Sequence, residues 1–226
     1  LRNPDRYRCA ASWAGPTDLD RMIKFDRKFF KRKDLKEWRA RLEGAMGHFG
    51  LELQRGVAAE VMSDPLALSG VTSLCALAQL LPERDAHANL YEVTHFVLQF
   101  IDDRAVWTEL YARWEIALLQ EMGFGLDLTK CAATGTDVDL AYVSPRSGRA
   151  VSRDAGQPYA DRLFELPPFL RPGSNAERSL ADVSVALEMT EHFLMHRIYG
   201  PDGCDLPEPR KRFAQRLAKA ADRASR

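Results

Sequence analysis

Apolar residues recur at helical spacing in four segments of the chain, and turn-forming residues separate these segments. The first segment follows the capping pair Ser63 and Asp64, has Pro65 in its first turn, and is closed by Pro82. Apolar residues three or four positions apart form one buried face of a helix. The pattern predicts helices over Leu66 to Leu81, about His87 to Ile101, Arg104 to Met122 and about Ala176 to Tyr199, followed by a short basic helix from Pro209 to about Ala224.

A long stretch of turn-forming residues, Gly123 to Leu170, interrupts the helical pattern. Gly123 and Gly125 end the preceding helix, because glycine tolerates positive φ. The stretch then holds a cysteine turn (Cys131 to Gly135), a short apolar piece (Leu140 to Val143), a second turn (Ser144 to Gly148), another short piece and extended chain at Pro167 and Pro168. These features predict a compact knob inserted in a helical body. We expect three side chains to pack inside it: Tyr142, Tyr159 and Leu163.

The N-terminal part has a different pattern. Residues Glu37 to Leu53 alternate between apolar and polar positions with glycines between them, which is typical of a β-hairpin. Residues 1–35 show no comparable alternation. We therefore expect two domains: a basic N-terminal segment over residues 1–56 and a helical domain over residues 57–226, with the knob at 123–170.

The chain carries no net charge, but its charges are unevenly distributed. Residues 1–50 hold 13 Lys and Arg against 7 Asp and Glu, and residues 51–130 hold 5 against 12. The C-terminal segment Arg210 to Arg226 is basic again. Cations interleaved with aromatic rings suit single-stranded nucleic acid, although a solvated helix face has the same pattern. The N-terminal candidates for DNA binding are Lys28, Lys31, Arg32, Lys33, Arg39 and Arg41.

The order of helix, cysteine turn, short apolar piece, second turn and proline stop resembles the RecO family of bacterial recombination mediators in its proteobacterial form, over about Trp38 to Arg226. The resemblance implies a mainly α fold: a helical-bundle C-terminal domain with an inserted turn-rich knob, preceded by a partial OB-like β segment. The sequence WRARLE at Trp38 is similar to a closing strand of the family's small barrel, which is built of five strands in such folds.

The resemblance also implies a function. RecO proteins bind single- and double-stranded DNA, anneal complementary strands, contact the C-terminal tail of single-strand-binding protein, and pair with RecR to help load RecA onto gaps. We therefore expect a DNA repair protein that is not an enzyme and needs no cofactor. The alternative is a helical protein-interaction scaffold without intact DNA binding.

Many RecO proteins hold zinc in the knob through two pairs of cysteines. This chain keeps Cys131, but Thr134 stands at the position of its partner, and the region of the second pair, GRAVSRDAG, has no cysteine. One thiolate cannot form a tetrahedral zinc site. We expect a metal-free knob in which Cys131 is a small buried residue.

Two further groups of residues have alternative interpretations. Arg146, Arg149 and Arg153 lie on predicted turns, where they would bind phosphate through forked donors or pair with Asp154 or Asp161 to fix the knob. His192 and His196 are one helical turn apart, which suits an ordinary core-edge pair or, with Glu188, a metal-dependent enzyme.

The chain also has features that bear on its location. No apolar run reaches the ~18 residues that span a bilayer, and the four cysteines have neither CxxC spacing nor the density of a disulfide scaffold. We expect no membrane contact and a cytoplasmic, nucleoid-associated protein.

Overall fold

The computed structural model describes residues 61–82, 87–174 and 177–224. Their fold is mainly α, as predicted, and the described helices and strands lie in one of the two compact units of the chain. In chain order they are α1 (Pro65–Ala78), α2 (Ala88–Gln99), α3 (Arg104–Glu121), β1 (Leu140–Val143), β2 (Ala150–Ser152), the one-turn α4 (Arg153–Gly156), β3 (Phe164–Glu165), α5 (Leu180–Leu194) and α6 (Glu208–Ala224). The predicted hairpin, Glu37 to Leu53, and the domain boundary at residue 56 lie outside the described residues.

The start of α1 follows directly from its sequence. The Asp64 carboxylate accepts a hydrogen bond from the Leu66 N–H at 2.8 Å, and Pro65 occupies the first turn. The helix ends earlier than predicted, because the chain tightens into a turn in which the Leu80 N–H donates to the Leu77 carbonyl at 3.0 Å. Local capping chemistry therefore sets the start of the helix more sharply than Pro82 sets its end.

Two other predicted helix ends need correction. After α3, Gly123 has a φ of +84° as predicted, whereas Gly125 does not have a positive φ. The predicted helix to Tyr199 changes character after Leu194, where Met195–Tyr199 form a π-helical turn.

Aromatic side chains from α3 and α6 form the centre of the bundle. Trp107 and Tyr111 on α3 and Phe213 on α6 are fully buried. The Phe213 ring centroid lies 4.5 Å from that of Tyr111 and 5.7 Å from that of Trp107. A β-carbon at Gly70 on α1 would lie only 2.6 Å from the Trp107 ring, so this glycine allows α1 to approach α3.

The knob is built on a small antiparallel sheet with strand order β2-β1-β3. Its central strand, β1, coincides with the apolar piece predicted from the sequence. Asp127 pairs with the strand edge: its N–H donates to the Gly148 carbonyl at 3.1 Å, and its carbonyl accepts from the Ala150 N–H at 2.8 Å. The knob also contacts α5, where the Phe164 and Phe193 ring centroids are 6.2 Å apart.

Two predictions about the knob are wrong. Tyr159 does not pack inward: it lies in the 3-10 segment Gln157–Arg162 and is 59% exposed. The interior contact is made instead by Tyr142 and Leu163, which both approach Gly156 so closely that a β-carbon there would lie 2.4 Å from the Tyr142 ring. Pro167 is extended as predicted, but Pro168 begins a 3-10 turn that runs to Leu170.

Among the residues that the structure describes, no helix is both long and apolar enough to cross a membrane.

Candidate nucleic-acid interface

The three candidate arginines of the knob lie on its surface: Arg146 and Arg149 in the connection between β1 and β2, and Arg153 at the start of α4. Arg146 is in the turn Ser144 to Gly148, which is closed by a 2.8 Å hydrogen bond from the Gly148 N–H to the Ser144 carbonyl. Gly148 has a φ of +69°, a conformation that glycine adopts readily. The Arg146 side chain is exposed and pairs with no carboxylate in the described part of the chain.

The other two knob arginines form ion pairs, but with partners that the sequence analysis did not predict. Arg149 Nε lies 3.4 Å from Asp127 Oδ2, and Arg153 Nε lies 3.3 Å from Asp139 Oδ2. The predicted pairing with Asp154 or Asp161 is wrong, because the folded knob brings together residues that are distant in sequence. The two arginine side chains remain 46% and 53% exposed, so their remaining donors face solvent.

The N-terminal candidates lie outside the described residues. They are Lys28, Lys31, Arg32, Lys33, Arg39 and Arg41. Their assignment to DNA binding stays a prediction.

Helix α6 has one face in the core and one basic face in solvent. Phe213, Leu217 and Ala221 are buried against the bundle. Positions three and four apart share one side of a helix, and four exposed cations have this spacing; we call them the α6 basic stripe: Arg212, Arg216, Lys219 and Arg223.

Two members of the stripe already have hydrogen-bond or ion-pair partners within the protein. Arg212 lies 3.7 Å from the Glu208 carboxylate, and Arg216 donates to the Pro65 carbonyl at 2.6 Å. Lys219 and Arg223 have no ion-pair partner among the described carboxylates. The stripe therefore presents a line of positive charge to any polyanion that approaches this face.

Arg210 does not belong to this surface, although the sequence analysis placed it in the basic C-terminal segment. Its side chain is fully buried, with Nε 2.5 Å from Glu115 Oε1 and Nη2 3.0 Å from Glu115 Oε2. Nη2 also donates to the Leu187 carbonyl at 2.8 Å, and the Thr190 hydroxyl donates to Glu115 Oε2 at 2.5 Å. The buried pair thus joins α3, α5 and α6.

The sequence held a signal for this pair that was missed. Arg210 occupies the apolar face of α6 together with Phe213 and Leu217, and Glu115 lies within the apolar pattern of α3 next to Trp114. When one helix carries an acidic residue on its core face and another carries a basic residue on its core face, the two charges are expected to pair in the core. Although burial disfavours its charge, the Glu115 carboxylate raises the pKa of Arg210, so the guanidinium stays charged.

Cys131 is buried, as predicted, with 1% of its surface exposed. The Ser152 N–H donates to its sulfur at 3.2 Å, and the Ser152 hydroxyl lies 3.4 Å from it. Burial raises the pKa of the thiol, but hydrogen bonds from Ser152 and Thr134 outweigh that effect and lower it to about 6. Hydroxyl and amide groups thus surround the sulfur, and the metal-free knob stays a prediction.

His192 and His196 stack on each other at a centroid distance of 3.9 Å. The edge of the His192 ring also meets Phe164, at 5.0 Å between centroids. No three His, Cys, Asp or Glu side chains in the described ranges are grouped so that they could hold a metal ion, so Glu188 does not complete a site with the two histidines.

The fold and its exposed faces define a helical protein that presents positive charge on an inserted knob and on its last described helix. Comparison with known proteins agrees with this class: the family model described as "Recombination protein O C terminal" matches residues 62–203. The chain therefore belongs to the RecO family.

Individual relatives cover most of the chain, and each is called DNA repair protein RecO. The protein from Beijerinckia indica is 45% identical over 83% of this chain and 76% of its own length. Those from Methylorubrum extorquens and Rhodospirillum centenum are each 48% identical, over 78% and 81% of this chain and 74% and 73% of their own lengths. No solved structure matches the chain.

Proposed function

We propose that this chain is a DNA repair and recombination mediator that acts by binding and carries out no bond chemistry. The observation that carries the proposal is its membership of the RecO family, whose match extends over residues 62–203. The proposed partners are single- and double-stranded DNA, RecR and the C-terminal tail of single-strand-binding protein. The proposed outcome is strand annealing and RecA loading on coated gaps.

The described surfaces support a role in handling DNA. The α6 basic stripe and the knob residue Arg146 present exposed cations. Cations that contact phosphates release counterions from the DNA, which favours binding. Arg149 and Arg153 retain exposed donors beside their ion pairs. We propose that these surfaces act together with the basic residues of the N-terminal segment.

The domain division and location are part of the same proposal. We propose that residues 1–56 are a basic domain with partial OB-like strands and that residues 57–226 are the helical domain. We propose that the protein is cytoplasmic and associated with the nucleoid, where such a mediator meets its DNA substrates.

Annealing of coated strands tests the proposal. Two complementary oligonucleotides, one carrying a fluorophore and the other a quencher, are coated with single-strand-binding protein and mixed with the chain at low salt. We expect faster quenching with the chain than without it, and slower quenching as salt screens its cationic surfaces. Arg149→Gln with Arg153→Gln should reduce the rate, with circular dichroism as the control for folding.

A scaffold without DNA binding is the competing function, and the ion pairs of Arg149 and Arg153 favour it for that part of the knob. The scaffold predicts that the chain binds the coat protein but never accelerates annealing. That result at low salt would reject the mediator function.

A further inference from the structure

A shallow basic cleft lies where the knob meets the end of α5. It has a volume of about 410 Å³ and is lined by Pro145, Arg146, His192, His196 and Arg197. The first two residues come from the knob turn, and the other three come from α5 and the π-helical turn that follows it. Within the described chain, the lining brings together two guanidinium groups and two imidazoles without a carboxylate.

A direct bond fixes the two sides of this cleft. Arg197 Nη2 donates to the carbonyl oxygen of Arg146 at 2.7 Å, so the π-helical turn is tied to the knob turn. A guanidinium has five N–H donors, and both arginine side chains are exposed. Most of their donors are therefore available to a ligand in the cleft.

The π-helical turn brings His196 and Arg197 to the cleft and depends on a particular glycine. The Gly200 N–H donates to the Met195 carbonyl at 2.7 Å, and a β-carbon at Gly200 would lie 2.6 Å from that same oxygen. Any other residue there would clash with the backbone that closes the turn. Turns of this kind are uncommon and occur frequently at functional sites.

The stacked histidines make the cleft responsive to an anion. Burial has the largest effect on the pKa of His192 and lowers it. The charges of His196 and Arg197 lower this pKa further, whereas the hydrogen bond with the Pro145 carbonyl raises it. Phe164 contributes only an uncharged ring edge. An anion in the cleft would oppose the effects of His196 and Arg197 and favour protonation of His192, so binding would take up protons.

We propose that this cleft binds a backbone phosphate of single-stranded DNA, with Arg146 and Arg197 donating to its oxygens and protonated histidine supplying further charge. The forked donors of arginine match phosphate oxygens, and the exposed His196 ring can stack on an adjacent base. The carboxylates of an acidic peptide would pair with the same guanidinium groups, so the test below includes such a peptide. The choice of DNA as the ligand rests on the function proposed above.

Fluorescence anisotropy of a labelled oligothymidylate with the full chain tests this proposal. Arg146→Ala should weaken binding about two- to fivefold, the range of exposed ion pairs, and should reduce the log–log salt slope by about 0.7. The wild type should bind more tightly at about pH 6 than at about pH 8, because His192, whose pKa is lowered in the free protein, is protonated more readily as the pH falls. His192→Gln with His196→Gln should remove most of that difference.

A matched control is Arg162→Ala, which removes one exposed charge from the knob outside the cleft. It should bind DNA like the wild type, and circular dichroism should show every variant folded. Wild-type affinity and slope in both cleft variants would overturn the cleft proposal and leave DNA binding by other surfaces intact. The proposal would also be overturned if Arg146→Ala lost binding to a fluorescent oligo-aspartate peptide while its oligonucleotide binding stayed at the wild-type level. If the wild type binds no oligonucleotide at low salt, both this proposal and the proposed function are wrong.

Discussion

The buried pair of Glu115 and Arg210 makes the bundle sensitive to single substitutions. Both side chains have no solvent-exposed surface, and each supplies the opposite charge that the other needs. We expect Glu115→Gln to reduce the free energy of unfolding by about 3–5 kcal/mol, because removing one partner leaves an uncompensated buried charge. Urea unfolding followed by far-ultraviolet circular dichroism measures this loss.

A double variant separates the charge effect from the packing effect. Glu115→Leu combined with Arg210→Met removes both charges, and such replacements are often close to neutral in stability. We expect the double variant to be more stable than either single variant. A loss in the double variant equal to the sum of the two single-variant losses would show that the two residues are not coupled.

Single residues also show what the sequence could and could not predict. The Asp64 cap was predictable because the capping side chain and the N–H that it meets are two residues apart. The burial of Cys131 followed from the usual preference of a free thiol. The partners of Arg149 and Arg153 and the exposure of Tyr159 depend on how the knob folds back on itself, which no local pattern records.

At the scale of elements, the α6 basic stripe has a testable role in DNA binding. We expect Lys219→Ala with Arg223→Ala to lower the log–log salt slope of oligonucleotide binding by up to about 1.4, since each contact with a single-stranded phosphate contributes about 0.7. A variant matched in charge, Arg162→Ala with Arg178→Ala, should keep the wild-type slope. An unchanged slope in the α6 variant would mean that this face is only solvated.

The knob gives a second prediction at this scale. Because the Cys131 sulfur is surrounded by Ser152 and Thr134 instead of further thiolates, we expect the knob to keep its structure after treatment with a strong chelator. Unchanged urea unfolding and a zinc content well below one equivalent, by elemental analysis, would agree with this. One equivalent of zinc that survives the chelator and disappears in Cys131→Ser would contradict it.

The helices were more predictable than the elements between them. Apolar spacing located α1, α2 and α3 to within a few residues, because each buries apolar side chains on one face. The π-helical turn after α5 could not be predicted from spacing, since its geometry depends on a backbone contact between Met195 and Gly200. The cleft was missed for the same reason, although Arg146 and the two histidines were each singled out.

For the whole molecule, the distribution of charge predicts that DNA binding uses both ends of the chain. We expect replacement of Lys28, Lys31, Arg32 and Lys33 by Ala to reduce the salt slope by up to about 2.8, on the basis of about 0.7 for each contact. Combination with the α6 variant should lower the slope further if both surfaces touch the same strand. A slope that does not change would show that the N-terminal cations are solvated and take no part in binding.

The position of Arg210 along the chain has a consequence for how this protein is made. While the ribosome is still synthesising the segment before α6, the Glu115 carboxylate has no buried counter-charge and Trp107 and Tyr111 have no Phe213 to cover them. The nascent helices therefore cannot complete their core until the last described helix emerges. The family match ends at residue 203, so a fragment cut there would lack the residues that close the bundle. We expect residues 57–203 to be aggregation-prone on expression and residues 57–224 to be monodisperse by size-exclusion chromatography, and equal behaviour of the two fragments would show that α6 is dispensable for folding.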